Sequence, residues 1–177
     1  MTITIRIDRR FVVVLSAIVI GLLILVLPGK TNASPQLAAT PCPPPPEPQA
    51  TGAAIQWYER GFMVWIKATG SLYVLYDPSG QHMSGTIEVY QDTWKEGMPE
   101  TDPGIVPPEG KFQPTRGGGL LWRTNPKVRA GLGWGIDSPH GYTALFEQRG
   151  NKMWFNGLTF DVFTVTENTW VKSGIWW

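Results

Sequence analysis

The chain has 177 residues and is nearly neutral, with 15 Lys and Arg against 14 Asp and Glu. That balance excludes an electrostatic case for binding nucleic acid or an anionic membrane surface. One cysteine, Cys42, excludes an intrachain disulfide, so a folded domain here must be held by its core.

Residues 1–10 carry Arg6, Arg9 and Arg10 against Asp8, and they precede an uncharged apolar run over 11–27, FVVVLSAIVIGLLILVL. Seventeen helical residues reach about 26 Å, close to the roughly 30 Å hydrocarbon thickness of a bilayer. Only Lys30 follows closely, so the positive-inside rule keeps 1–10 in the cytoplasm and sends the rest across. The run is longer than a signal-peptide core, and Thr31-Asn32-Ala33 is a weak cleavage site. The expectation is therefore an uncleaved signal anchor, with a cleaved leader as the alternative.

Residues 28–53 form a proline-rich linker in which Pro43 to Pro46 are consecutive. Such a tract takes an extended polyproline form and has too little apolar mass to fold, which suits a spacer. Cys42, on this spacer, is read as a linker residue without a role, with pairing between chains or a modification as the alternatives.

Residues 54–177 have the size of one domain and hold all nine tryptophans. Short β-prone runs alternate with turn signals, and long amphipathic helical patterns are missing, so the domain is expected to be all-β. Strands are predicted over 62–67, 72–76 and 86–90, with Asp77-Pro78-Ser79-Gly80 as a turn between the second and third. Residues 95–116 carry five prolines and read as a long loop. A strand is predicted over 120–123. Asn125-Pro126 is a helix start, giving one turn stopped by Gly131. Strands follow over 142–148 and 152–155. Asn156-Gly157 is then the strongest hairpin signal, pairing 158–165 back across it.

The sequence also matches itself. Arg60-Gly61-Phe62-Met63-Val64-Trp65 aligns with Arg149-Gly150-Asn151-Lys152-Met153-Trp154, and more loosely with 116–122. Asp92-Thr93-Trp94 matches Asn168-Thr169-Trp170. Each copy reads as a hairpin that must pack on its neighbours to bury an apolar face, with Trp65, Trp122 and Trp154 as hairpin cores. The expected architecture is therefore a compact domain of repeated antiparallel hairpins, propeller-like or a small barrel, behind one N-terminal transmembrane helix.

Leu132-Gly133-Trp134, followed by Phe146-Glu147, Arg149-Gly150 and Met153-Trp154, resembles the LGFP-type repeat of exported bacterial surface and cell-wall-associated proteins. Gly135 departs from that pattern, standing where the repeat usually has proline. The resemblance implies an extracytoplasmic association module rather than an enzyme.

Residue chemistry points the same way. His82 and His140 are the only histidines and lie outside any metal-binding spacing, so no metal or cofactor is expected. Asp137, Ser138 and His140 crowd one turn, whereas a catalytic triad draws its members from separate elements. Glu96, Glu100, Asp102 and Glu109 match no calcium loop. The tryptophans remain. Trp57, Trp94, Trp134 and Trp170 flank turns and are the candidate binding residues, each able to offer a flat apolar face with an N–H. Trp176 and Trp177 could contact a partner subunit. The expected function is non-catalytic binding of cell-wall glycan or an envelope protein. A structural subunit of a membrane complex comes second and a glycan hydrolase third.

Overall fold

The computed structural model describes residues 47–159 and 161–174. The expected anchor, the basic start, Cys42, Trp176 and Trp177 lie outside them. Among the described residues no helix is long and apolar enough to cross a membrane.

Eight strands among these residues close an antiparallel barrel. The first meander is β1 (Gln49–Tyr58), β2 (Gly61–Ile66), β3 (Ser71–Tyr76) and β4 (Ser84–Gln91). The second is β5 (His140–Arg149), β6 (Lys152–Asn156), β7 (Val162–Thr166) and β8 (Thr169–Ser173). β1 joins β5 along a long antiparallel ladder, from Gln49 opposite Phe146 to Ile55 opposite His140. β4 joins β8 only from Ser84 opposite Val171 to Thr86 opposite Thr169, so this seam is the shortest. The domain is thus the small barrel of the two expected forms, and not a propeller.

Side chains alternate across each strand, so one set fills the barrel. Phe62 packs on Phe163 at 4.8 Å between ring centroids and on Trp170 at 5.2 Å, and Phe155 stacks on Phe163 at 5.3 Å. Ile55, Val64, Ile66, Leu75 and Val165 complete a solid interior.

A second layer covers one outer face. Between β4 and β5 the chain runs through a loop over 92–115, then α1 (Arg116–Thr124) and α2 (Pro126–Leu132). Trp122, Val128 and Leu132 bury Tyr58, Met63, Leu72 and Val74 from outside the barrel. β2 is therefore buried on both faces, which explains its unbroken apolar run. Burial of large apolar side chains of this kind is worth about 1.5–3 kcal/mol each.

Local chemistry sets α2. Asn125 Oδ1 accepts the Lys127 and Val128 N–H groups, Pro126 takes the first turn, and the Arg60 guanidinium donates to the carbonyls of Ala130 and Gly131 at the helix end. Glu88 ties the helix to the sheet, accepting from Lys127 Nζ and from the hydroxyls of Tyr76 at 2.9 Å and Tyr90 at 2.8 Å. Gly131 lets the helix approach closely: a Cβ there would stand 2.5 Å from the Tyr76 ring.

Several expectations need correction. Residues 120–123 belong to α1, not to a strand. Trp122 is fully buried and Leu121 half-buried between this helix and the sheet, so tertiary packing overrides an apolar triplet that local propensity cannot assign. The Asn156-Gly157 pair does not make a two-residue hairpin. Asn156 Oδ1 instead accepts the Leu145 N–H, and the connection runs to Asp161, whose carbonyl accepts the Gly157 N–H at 2.7 Å. β1 begins at Gln49, inside the expected linker, and β8 lies beyond the last strand that the sequence predicts.

The repeat finds no support as a fold unit. Its first two copies lie on the opening hairpin of each meander, but the third is helical. Asp92 follows β4, whereas Asn168 sits in the turn before β8.

Candidate functional site

The outer face of β1 and β2 supplies the floor of a groove of about 470 Å³. Met63 and Trp65 come from β2, Gln56 and Tyr58 from β1, and Leu72 from β3. Trp65 points outward because Phe62, Val64 and Ile66 take the inward positions of the same strand. A one-residue change of phase separates a core aromatic from a surface one.

The opposite wall is the chain leaving β4 and the start of α1. Asp92, Trp94, Glu100, Thr115, Arg116, Gly117 and Gly118 line it. Asp92 Oδ1 accepts the backbone N–H of Trp94 at 3.0 Å, which sets the turn carrying the indole. Arg116 Nε donates to Glu100 Oε1 at 2.9 Å, and its guanidinium lies 5.9 Å from the Trp94 ring.

The three glycines of α1 hold this wall tight. A Cβ at Gly117 would stand 2.3 Å from Asp92 Oδ1, one at Gly118 would be 3.2 Å from Met63 Sδ, and one at Gly119 would be 2.3 Å from the Pro114 carbonyl oxygen. They serve close packing here.

Beneath the groove lies a chain of buried polar groups. Tyr58 donates to Gln56 Oε1 at 3.2 Å, and Gln56 Nε2 donates to the Asp137 carbonyl at 2.8 Å. Burial pushes the Tyr58 phenol well above its ordinary range, with the Asp137 charge adding to the effect, so it stays neutral. The indole N–H of Trp94 is shielded from solvent and has no acceptor among the described residues. Leaving such a donor unpaired costs about 1–3 kcal/mol.

The four tryptophans picked out in the sequence fall in different places. Trp94 lines the groove. Trp57 lies against the barrel core, 4.6 Å from Phe62 and 4.9 Å from His82 by ring centroids. Trp134 packs in the outer layer, 5.0 Å from Trp122. Trp170 is inside the barrel and only 1% exposed. Trp65, read as a hairpin core, is the second groove tryptophan, and only a correct strand phase would have revealed it. Of the other hairpin-core candidates, Trp122 is buried in the helical layer and Trp154 is half-buried.

The remaining candidates are bound into structure. His140 Nε2 lies 3.3 Å from Asp137 Oδ2, while Ser138 is exposed and outside their hydrogen bonds. His82 lies in the turn after β3, with its Nδ1 3.9 Å from Asp77 Oδ2. Among the described residues no cluster of His, Cys, Asp or Glu could hold a metal ion. Gly135 exchanges backbone hydrogen bonds with Phe112. Proline could not donate there, and a Cβ would stand 2.7 Å from Gln56 Nε2.

Fold and groove together define a closed antiparallel β-barrel with a helical flap and an external aromatic groove. Comparison with protein-family models, curated proteins and solved structures gives no match to this chain.

Proposed function

We propose that the domain is a non-catalytic binding module, held outside the cytoplasmic membrane by residues 11–27, whose ligand is a cell-envelope glycan lying between Trp65 and Trp94. The observation that carries this reading is the meeting of two tryptophans in one groove, over a floor of Met63 and Leu72 and beside polar groups at its rim. An apolar floor with a few fixed polar groups is the usual make-up of a small-ligand site, and 470 Å³ is within the usual size. Indole faces suit the C–H face of a sugar ring. The non-catalytic part rests on the sequence resemblance, which implies association rather than catalysis.

The test is co-sedimentation of the full-length chain, in detergent, with purified cell-wall sacculi. Wild type is expected in the pellet and Trp65→Ala in the supernatant. Equal sedimentation of the two would remove the groove as the site.

A second reading, a subunit of a membrane complex, is favoured by one feature. Past the short seam with β8, β4 carries Val89 with 55% of its surface exposed, on a strand edge that β8 does not cover.

A further inference from the structure

We infer that the groove selects neutral, hydroxyl-rich saccharides over anionic ones, an inference that rests on the binding-module reading above. Three charged side chains stand at the groove: Asp92, Glu100 and Arg116. Two are acids and one is a base, so the groove has an excess of negative charge.

The free hydrogen-bonding capacity has the same bias. Asp92 uses one carboxylate oxygen on the Trp94 backbone and Glu100 uses one on Arg116 Nε. Among the described residues the second oxygen of each has no hydrogen-bond donor. A carboxylate only accepts, whereas a sugar hydroxyl both donates and accepts. Hydroxyls can therefore donate to Asp92 and Glu100 and accept from the remaining N–H groups of Arg116. A uronate or phosphate would add negative charge to a lining that already has one acid in excess over Arg116. A repulsion of that kind against the wrong ligand is one of the two routes to specificity, beside contacts that favour the right one.

A cationic ligand would meet the same acids, but one position for it is taken. The position a cation would take at the Trp94 ring already faces the Arg116 guanidinium, 5.9 Å from its centroid.

The test is a titration of the full-length chain in detergent, followed by tryptophan fluorescence and calorimetry. The probes are neutral trisaccharides (cellotriose and chitotriose), trigalacturonate and trilysine. At least one neutral trisaccharide is expected to bind, with trigalacturonate weaker by about tenfold or more at low salt, as one unscreened like-charge contact predicts. Glu100→Gln, a change at a half-exposed surface position, should narrow that ratio without unfolding the domain. Tighter binding of trigalacturonate or trilysine, abolished by Trp65→Ala, would overturn the neutral class but keep the groove as the site. Binding of every probe unchanged by Trp65→Ala, or no binding at all, would overturn the binding-module reading and this inference with it.

Discussion

Asp137 Oδ1 accepts the backbone N–H of Trp57 at 2.9 Å, across 80 positions of sequence. The same residue's carbonyl accepts Gln56 Nε2 at 2.8 Å, and the Ile136 N–H donates to the Trp57 carbonyl at 2.9 Å. One aspartate thus locks the segment leaving α2 onto β1, just before the chain enters β5. Hydrogen bonds to a charged group are worth about 1.5–3 kcal/mol. Asp137→Ala should therefore destabilise the domain by about 2 kcal/mol in urea denaturation. Asp137→Asn, which keeps an acceptor, should cost less. Equal losses would show that the hydrogen bond is not what stabilises this junction.

Three tryptophans differ in what their N–H groups do, and phenylalanine replacement separates them. Trp122 Nε1 donates to the Gly133 carbonyl at 2.8 Å, and Trp170 Nε1 donates to the Tyr76 carbonyl at 3.2 Å. Trp94 Nε1 has no acceptor among the described residues. Trp122→Phe and Trp170→Phe lose a buried hydrogen bond as well as volume, so each should cost about 2–3 kcal/mol. Trp94→Phe removes an unpaired donor and should leave the unfolding midpoint unchanged or slightly raised. A large loss at Trp94 would mean that its indole N–H has a partner after all.

Sequence patterns were legible wherever the local chemistry decides the structure. Asn125-Pro126 starts α2 as expected, and Asp77 to Gly80 turns β3 toward β4 through an Asp77 side chain that accepts from Ser79 and His82. Reading failed where partners lie far off in sequence. β1 is rich in Ala, Gly and Thr and looks like linker, yet it pairs with β2 on one side and β5 on the other. Leu120 to Trp122 carry too short an apolar run to choose between helix and strand. The groove was half visible. Trp94 was a candidate on its own merits, but Trp65 shares a strand with Phe62, Val64 and Ile66, and its outward phase follows from barrel closure. Gln56 and Tyr58 were out of reach because β1 itself was.

Acid should weaken the fold through Asp77. Burial by itself would raise this carboxyl, but the hydrogen bonds from Ser79 and the His82 N–H outweigh it and hold the group below its ordinary value of 3.8. A folded-state value below the unfolded one stabilises the protein above about pH 4, and the advantage is lost as pH falls through the folded value. Glu59 and Glu88 are also held low, chiefly by the Trp134 N–H and by Lys127 respectively, and act in the same direction. Urea midpoints measured at pH 7, 5 and 3 should fall most in the last step. Asp77→Asn should be less stable than wild type at pH 7, with the gap narrowing at pH 3. A constant gap would remove Asp77 as a source of the acid limb.

The barrel's weakest closure sets the last prediction. β4 meets β8 over only Ser84 to Thr86, and the indole of Trp170 crosses that seam to reach the Tyr76 carbonyl. Gly85 makes the crossing possible. A Cβ there would stand 1.8 Å from the Tyr76 carbonyl oxygen and 2.9 Å from Trp170 Nε1. The obstacle on the first side is backbone held in the β3–β4 ladder, which cannot give way as a flexible side chain would. Gly85→Ala must therefore break the Trp170 hydrogen bond, part the seam, or both. A loss of about 3 kcal/mol or more is expected, the range of overpacking added to a broken buried hydrogen bond. Gly141→Ala is the control, because a Cβ at Gly141 meets nothing within 4 Å. It should shift stability by no more than about 0.5 kcal/mol. Hydrogen exchange would localise the effect: in Gly85→Ala the amides of β4 and β8 should lose protection before those of β1 and β5, whose ladder is more than twice as long.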